Sequence, residues 1–364
     1  MESLTHTHPN VHTPWQQWSE EQTLHVASVY FNPLRFETRR KATNNFIQRM
    51  KEMPNVRLYM TEIAFGDRPY ELPNEPDVVR LRTNDVMWFK ENATNIAVSR
   101  FAPGWQYGAA VDCDFNFTRR DWALETVHQL QHHPWLQPYS SYAFMSSHHQ
   151  PTRLKPSFSW VFHERHSGDA QQHMAVRSGE GLKKNARVLE YSYDEGGSVN
   201  PSGHHHRELI GSPGGAWAFT KKGFENVGGF LDFSVLGAGD WYMAFGFIGC
   251  RNDRQQAELR NQPPAYTRAI TAWQDRAYRA VKANIGFVDC MATHDWHGCV
   301  TKRGYGTRWQ ILRANNFDPA TDLVRDSQGL WRWAGNKPQL EAQVRRYFRS
   351  RDEDSTELRG GSML

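Results

Sequence analysis

The feature that most constrains this fold is an alternation near the start of the chain. A β-like run at Leu24 to Tyr30 is followed by a helical stretch at Glu37 to Met50 and a second β-like run at Val56 to Ile63. Strands joined through a helix cross over and lie parallel, so this βαβ unit implies a mostly parallel sheet covered by helices. After a turn-rich segment at Glu71 to Asp77, a helix-like stretch from Asp85 to Arg100 gathers Val86, Phe89, Ala93, Ile96 and Ala97 on one face. The short apolar run Tyr107 to Val111 reads as a buried parallel strand. It delivers Asp112 to the carboxyl edge of the sheet, where α/β folds bind ligands. The fold class expected is α/β: a Rossmann-like, mixed but mostly parallel sheet flanked by helices.

From Ser146 to about His206 aliphatic runs give way to Gly, Ser, Arg and eight of the seventeen histidines, which marks an inserted excursion. Its strand-like pieces, Phe158 to Phe162 and Arg187 to Tyr193, suggest a hairpin over the sheet. Apolar order resumes at Gly215 to Thr220, with helix-like runs from Asp240 and from Ala265 to Asn284, then a strand at Ile285 to Cys290 and a His/Gly/Arg-rich loop. Residues 1–23 form a polar N-terminal segment and 24–300 the main domain. Residues 301–351 are a basic, partly helical extension with an amphipathic helix at Gln339 to Arg351, and 352–364 resemble a frayed tail.

Three segments carry chemistry. Asp112-Cys113-Asp114 presents two carboxylates at i and i+2 on a chain leaving a strand, an arrangement that offers oxygens to one Mg²⁺ or Mn²⁺. A D-x-D also arises by accident, and the second copy, Asp352-Glu353-Asp354, reads as solvated. Gly214-Gly215, Gly228-Gly229-Phe230 and Gly237-Ala238-Gly239-Asp240 let backbone approach a ligand. Asp240 opens a helix either as the base for a bound hydroxyl or as a plain cap. Met291-Ala292-Thr293-His294 and His297 follow a strand end, where imidazole can join the carboxylates on Mn²⁺ or Zn²⁺, although a histidine there can equally be structural. The run His204-His205-His206 is a weaker rival, because adjacent side chains on an irregular segment diverge.

In this order these segments resemble the GT-A glycosyltransferases, most of all the β-1,4-galactosyltransferase catalytic domain and family-2-like enzymes, over most of residues 24–300. The resemblance implies a GT-A fold, a Mn²⁺ or Mg²⁺ ion and a nucleotide-sugar donor, a UDP-sugar first of all. By that resemblance Asp114 ligates the metal, Asp112 lies nearer the ribose or sugar, and Met291 and His294 close the metal shell. Phe31, Asn32, Pro33 and Arg35 form the nucleotide-base loop, Lys90 lies near the diphosphate, Glu62 and Asn95 are further donor contacts, and Gly214 and Gly215 lie under the donor sugar. Where the family has Gly-Gly-Glu-Asp-Asp-Asp, this chain has Gly237-Ala238-Gly239-Asp240-Trp241-Tyr242, so Asp240 alone remains as base for an inverting transfer.

The net charge of +4 is small, but residues 300–351 hold eleven Lys and Arg against Asp318, Asp322, Asp326 and Glu341, with Trp309, Trp331 and Trp333 interleaved. Such a stretch suits a phosphate backbone or a solvated face. The acceptors expected are a hydroxymethylated base in DNA, as bacteriophage glycosyltransferases modify, or a cytoplasmic saccharide. A non-catalytic nucleic-acid or saccharide-binding module on a GT-A shell is the alternative, and a two-metal phosphatase or nuclease lacks enough clustered carboxylates. Four cysteines without a C-x-x-C pair indicate reduced thiols. A polar start and no apolar run near the roughly 20 residues of a bilayer span point to a cytoplasmic protein with no membrane partner.

Overall fold

The computed structural model describes residues 23–166, 211–249, 262–305 and 307–355. The chain opens with β1 (Leu24–Phe31), α1 (Glu37–Lys51), β2 (Val56–Phe65), β3 (Val78–Thr83), α2 (Lys90–Val98) and β4 (Tyr107–Val111). Next come β5 (Phe115–Phe117), α3 (Trp122–Gln129), β6 (Trp135–Gln137), β7 (Ser141–Met145), β8 (Pro151–Pro156) and α4 (Phe158–His166). Beyond the excursion lie β9 (Ala216–Thr220), α5 (Lys221–Val227), α6 (Gly239–Phe247), α7 (Pro264–Val281), β10 (Ile285–Phe287) and β11 (Met291–His294). The last elements are α8 (Trp309–Ala314), α9 (Pro319–Asp322), β12 (Leu323–Arg325), β13 (Trp331–Trp333) and α10 (Pro338–Ser350).

The expected βαβ unit is present, with β1 and β2 parallel from Leu24 opposite Val56 to Phe31 opposite Ile63. The main sheet runs β10-β6-β9-β4-β1-β2-β3 and is parallel except where β9 pairs antiparallel with β4 and β6. A second sheet, β5-β11-β7-β8, stands at its carboxyl edge.

Period-2 alternation puts the two faces of β1 into two cores. Leu24, Val26 and Tyr30 pack with Phe46 of α1 and Trp122 of α3, whereas Ala27 and Phe31 pack with Ala93 of α2, Met243 of α6 and Trp273 of α7. Each fully buried large apolar side chain contributes roughly 1.5–3 kcal/mol. The 301–351 segment joins the second of these cores through Trp309, Leu312, Leu340, Val344 and Phe348.

Several expectations are corrected. Phe158 to Phe162 is helical, not a strand. Phe158, Val161 and Phe162 recur at helical spacing and are all buried, and Ser157 Oγ accepts the N–H of Trp160 at the first turn. Met291 to His294 is a strand, not a loop, held between antiparallel β5 and parallel β7. The first part of the expected tail is packed: Glu353 is 2% exposed, and Asp354 accepts the N–H groups of Glu37 and Thr38 at the start of α1. Arg187 to Tyr193 and His204 to His206 lie outside the described residues. No helix among the described residues is long and apolar enough to cross a membrane.

Candidate functional site

A cavity of about 520 Å³ opens where the carboxyl ends of β1 and β4 meet the second sheet, the start of α6 and the C-terminal segment. Of the residues singled out in the sequence, Phe31, Lys90, Asp112, Asp114, Gly214, Gly215, Asp240 and His294 all line it.

Asp112 follows the last residue of β4, and its N–H donates to Gly215 O at 2.8 Å, which ties the Gly-Gly segment to the strand end. Two residues on, Asp114 O accepts the N–H of Asp295 at 2.7 Å, so β11 is fastened beside it. The side chains of Asp114, His294 and His297 then converge, with one ligand atom from each lying within 4.8 Å of the others. His297 Nδ1 is 2.9 Å from Asp114 Oδ2, and His294 Nε2 is 3.9 Å from Asp114 Oδ1. Asp114 Oδ1 is buried without a hydrogen-bond partner among the described residues. Orphaned buried lone pairs are expensive, and one carboxylate with two imidazoles is a donor set suited to Mn²⁺ or Zn²⁺.

Electrostatics prepare the same group for a cation. Burial works against ionisation of Asp114, but the charges of His294, His297 and Arg39 override it and hold the carboxyl well below its usual range. Burial pushes His294 down to about 4 and lowers His297 as well, with Arg303 adding to the latter, so both rings are neutral and able to ligate near neutral pH.

Asp112 turns the other way, toward Lys90 at the start of α2, with Nζ 3.2 Å from Oδ1. Lys90 Nζ is also 3.8 Å from Asp240 Oδ2 and from Glu91 Oε1, so one ammonium is shared by three carboxylates. Burial alone would lower the Lys90 ammonium, and Asp112, Asp240 and Glu91 together raise it instead. Ala238, with φ +66°, turns the chain so that α6 begins at the cavity, and Asp240 Oδ1 accepts its neighbour Trp241's N–H at 2.8 Å. Gly214 permits this arrangement, because a Cβ there would stand 2.8 Å from Asp240 Oδ2.

The other sequence candidates lie outside the cavity. Asn32 clamps the turn from β1 to α1 through hydrogen bonds to the backbone N–H and carbonyl of Phe36, and Pro33 O accepts from Arg68. Arg35 is exposed, with φ +61°. Glu62 accepts the N–H groups of Glu71 and Leu72, and Asn95 fastens α2 to Phe230 N and O. Met291 is 42% exposed and does not line the cavity. The third member of the metal group is His297, whose signal in the sequence is its spacing of three from His294. Glu91 and Arg39, which nothing local in the sequence marks, also line the cavity, together with Arg303, Arg308 and Arg351 of the basic C-terminal stretch. No protein-family model matches this chain and no curated protein matches it in sequence, so the reading of the site rests on these residues.

Proposed function

We propose that this chain is a metal-dependent glycosyltransferase of the GT-A type, moving a sugar from a nucleotide-sugar, a UDP-sugar first of all, to an acceptor hydroxyl with inversion. The observation that carries the reading is that the Asp114/His294/His297 group and the Asp240 carboxylate line one cavity at the carboxyl edge of a mostly parallel sheet.

Asp114, His294 and His297 would hold the divalent ion, which when bound supplies positive charge against the leaving diphosphate. The two imidazoles favour Mn²⁺ over Mg²⁺. Asp240 takes the proton of the acceptor hydroxyl as its oxygen bonds to the anomeric carbon. The bond from that carbon to the diphosphate breaks, and its electron pair leaves with the diphosphate. Lys90 holds Asp112 in place and keeps a positive charge 3.8 Å from Asp240.

As acceptor, a hydroxymethylated base in DNA is favoured over a saccharide by α10, which exposes Arg345, Arg346 and Arg349 along one helix. A base turned out of the duplex would bring its hydroxyl to Asp240. The test is release of UDP from UDP-sugars by the purified chain with Mn²⁺. Turnover that is lost in both Asp114→Ala and Asp240→Asn supports the reading, and no turnover of any nucleotide-sugar overturns it. Duplex DNA binding that is weak at all salt concentrations below about 100 mM removes DNA as acceptor.

A further inference from the structure

One wall of the cavity is cationic and comes from residues beyond 300, outside the stretch that resembles the glycosyltransferases. Arg303 and Arg308 line it and are 6% and 7% exposed. Both guanidinium groups meet at Tyr305: Arg303 Nη1 donates to the Tyr305 hydroxyl at 3.4 Å, and Arg308 Cζ stands 4.9 Å from the ring centroid. Arg308 also lies over Trp309 and donates from Nη1 to the Tyr347 hydroxyl at 3.3 Å. These contacts orient the two forks without neutralising them. Among the described residues neither arginine forms an ion pair with a carboxylate, and Nε of each is buried without a hydrogen-bond partner.

Their neighbours show the contrast. Arg39 and Arg351 line the same cavity, and both are paired with Glu353. Two further guanidinium charges buried without an anion are costly, and a planar fork with free N–H groups is matched to the oxygens of a phosphate. Arg303 and Arg308 line the same cavity as Asp114, His294 and His297.

We propose that Arg303 and Arg308 form a phosphate site that works without the metal and grips a mono- or diphosphate beside the Asp114/His294/His297 group. The site shares the cavity of the proposed transferase, yet it requires only a phosphate-bearing ligand and not sugar transfer.

Calorimetric titration of the full chain in EDTA tests it, with inorganic pyrophosphate, UDP and uridine as probes. Pyrophosphate and UDP are expected to bind, and uridine to bind at least about tenfold more weakly than UDP. UDP tighter than pyrophosphate assigns the site to a nucleotide, and equal affinity assigns it to free diphosphate; both uphold it. Absence of pyrophosphate and UDP binding without metal, or equal affinity for UDP and uridine, overturns it, and neither result depends on a variant. The double variant Arg303→Lys, Arg308→Lys keeps the charges and removes the forks. It is expected to lose about tenfold or more in UDP affinity in EDTA while Mn²⁺ alone binds as in the parent chain. UDP affinity equal to the parent's also overturns the proposal. Sugar transfer with no effect of the arginine variants sinks this site and leaves the transferase, whereas arginine-dependent pyrophosphate binding without turnover of any nucleotide-sugar does the reverse.

Discussion

Arg39 and Glu353 stand 314 residues apart in the chain and form a two-pronged ion pair, Nε to Oε2 and Nη2 to Oε1, both at 2.8 Å. Arg351 adds a third contact at 2.7 Å, and Glu353 is 2% exposed. Burial opposes its ionisation, but Arg39 and Arg351 hold the carboxyl far below its ordinary 4.5. Removing one partner of a buried pair leaves the others uncompensated, so Glu353→Ala is expected to cost about 3–5 kcal/mol in a denaturant titration. Because the folded-state value is depressed, this contribution is present above pH 4.5 and is lost only as acid reaches the carboxyl. A loss under about 1 kcal/mol at pH 7 would mean that the pair is screened like a surface bridge.

The metal group makes a contrast between His297, which joins it, and Met291, which the resemblance to glycosyltransferases puts in the metal shell. His297→Ala is expected to weaken Mn²⁺ binding by at least 10–100-fold, whereas Met291→Ala leaves it unchanged, as measured by calorimetry on the chain without nucleotide. At 100 times its Kd, Mn²⁺ adds about 2.7 kcal/mol to the parent's stability and raises its melting temperature, a shift absent in Asp114→Ala. Equal Mn²⁺ affinity in the two variants would show that the ion binds elsewhere.

Asp240→Asn keeps the shape of the cavity and removes the proton acceptor. Transfer is expected to fall by about 10²- to 10⁴-fold with Mn²⁺ affinity retained. A variant that loses metal binding together with activity would place Asp240 in the metal shell instead.

Glu91 is the most deeply buried acid beside Lys90. Burial pushes its carboxyl up to about 7, with Lys90 opposing and Asp240 reinforcing, and Oε1 has no hydrogen-bond partner in the described structure. Its folded-state value lies above the ordinary 4.5, so between those limits the folded chain binds the extra proton. Stability is therefore fullest below 4.5 and falls as pH rises through about 7. Glu91→Gln removes that fall, and its melting temperature is expected to gain on the parent's more at pH 8 than at pH 5. A difference independent of pH would mean that Glu91 is ionised throughout.

How far the sequence discloses this arrangement depends on the range of the interaction. β1, α1, β2 and β4 are legible because their periodicities are local, and with them come the strand-end position of Asp112 and Asp114. Phe158 to Phe162 is aromatic enough to resemble a strand, and its helical character lies in the spacing of Phe158, Val161 and Phe162 and in the Ser157 cap. The four residues of β11 are a strand because β5 and β7 flank them, which no short window displays. Arg303, Arg308 and Arg351 read as a basic stretch suited to a phosphate backbone or a solvated face, since their turning inward depends on the packing of Trp309, Leu340 and Phe348 into the shared core. The tail conceals its role for the same reason.

Asp354 caps the start of α1 from the far end of the chain, and Gly298, at φ +85°, leaves room for the Glu353 backbone, since a Cβ there would come within 2.7 Å of Glu353 Cα. Synthesis runs from N- to C-terminus, so β1 and α1 leave the ribosome long before the residues that lock them arrive. A nascent chain halted before Arg351 carries the D-x-D and both histidines but has an open cavity wall and an uncapped helix. Assembly of the site is thereby deferred until residues 351–354 have been made.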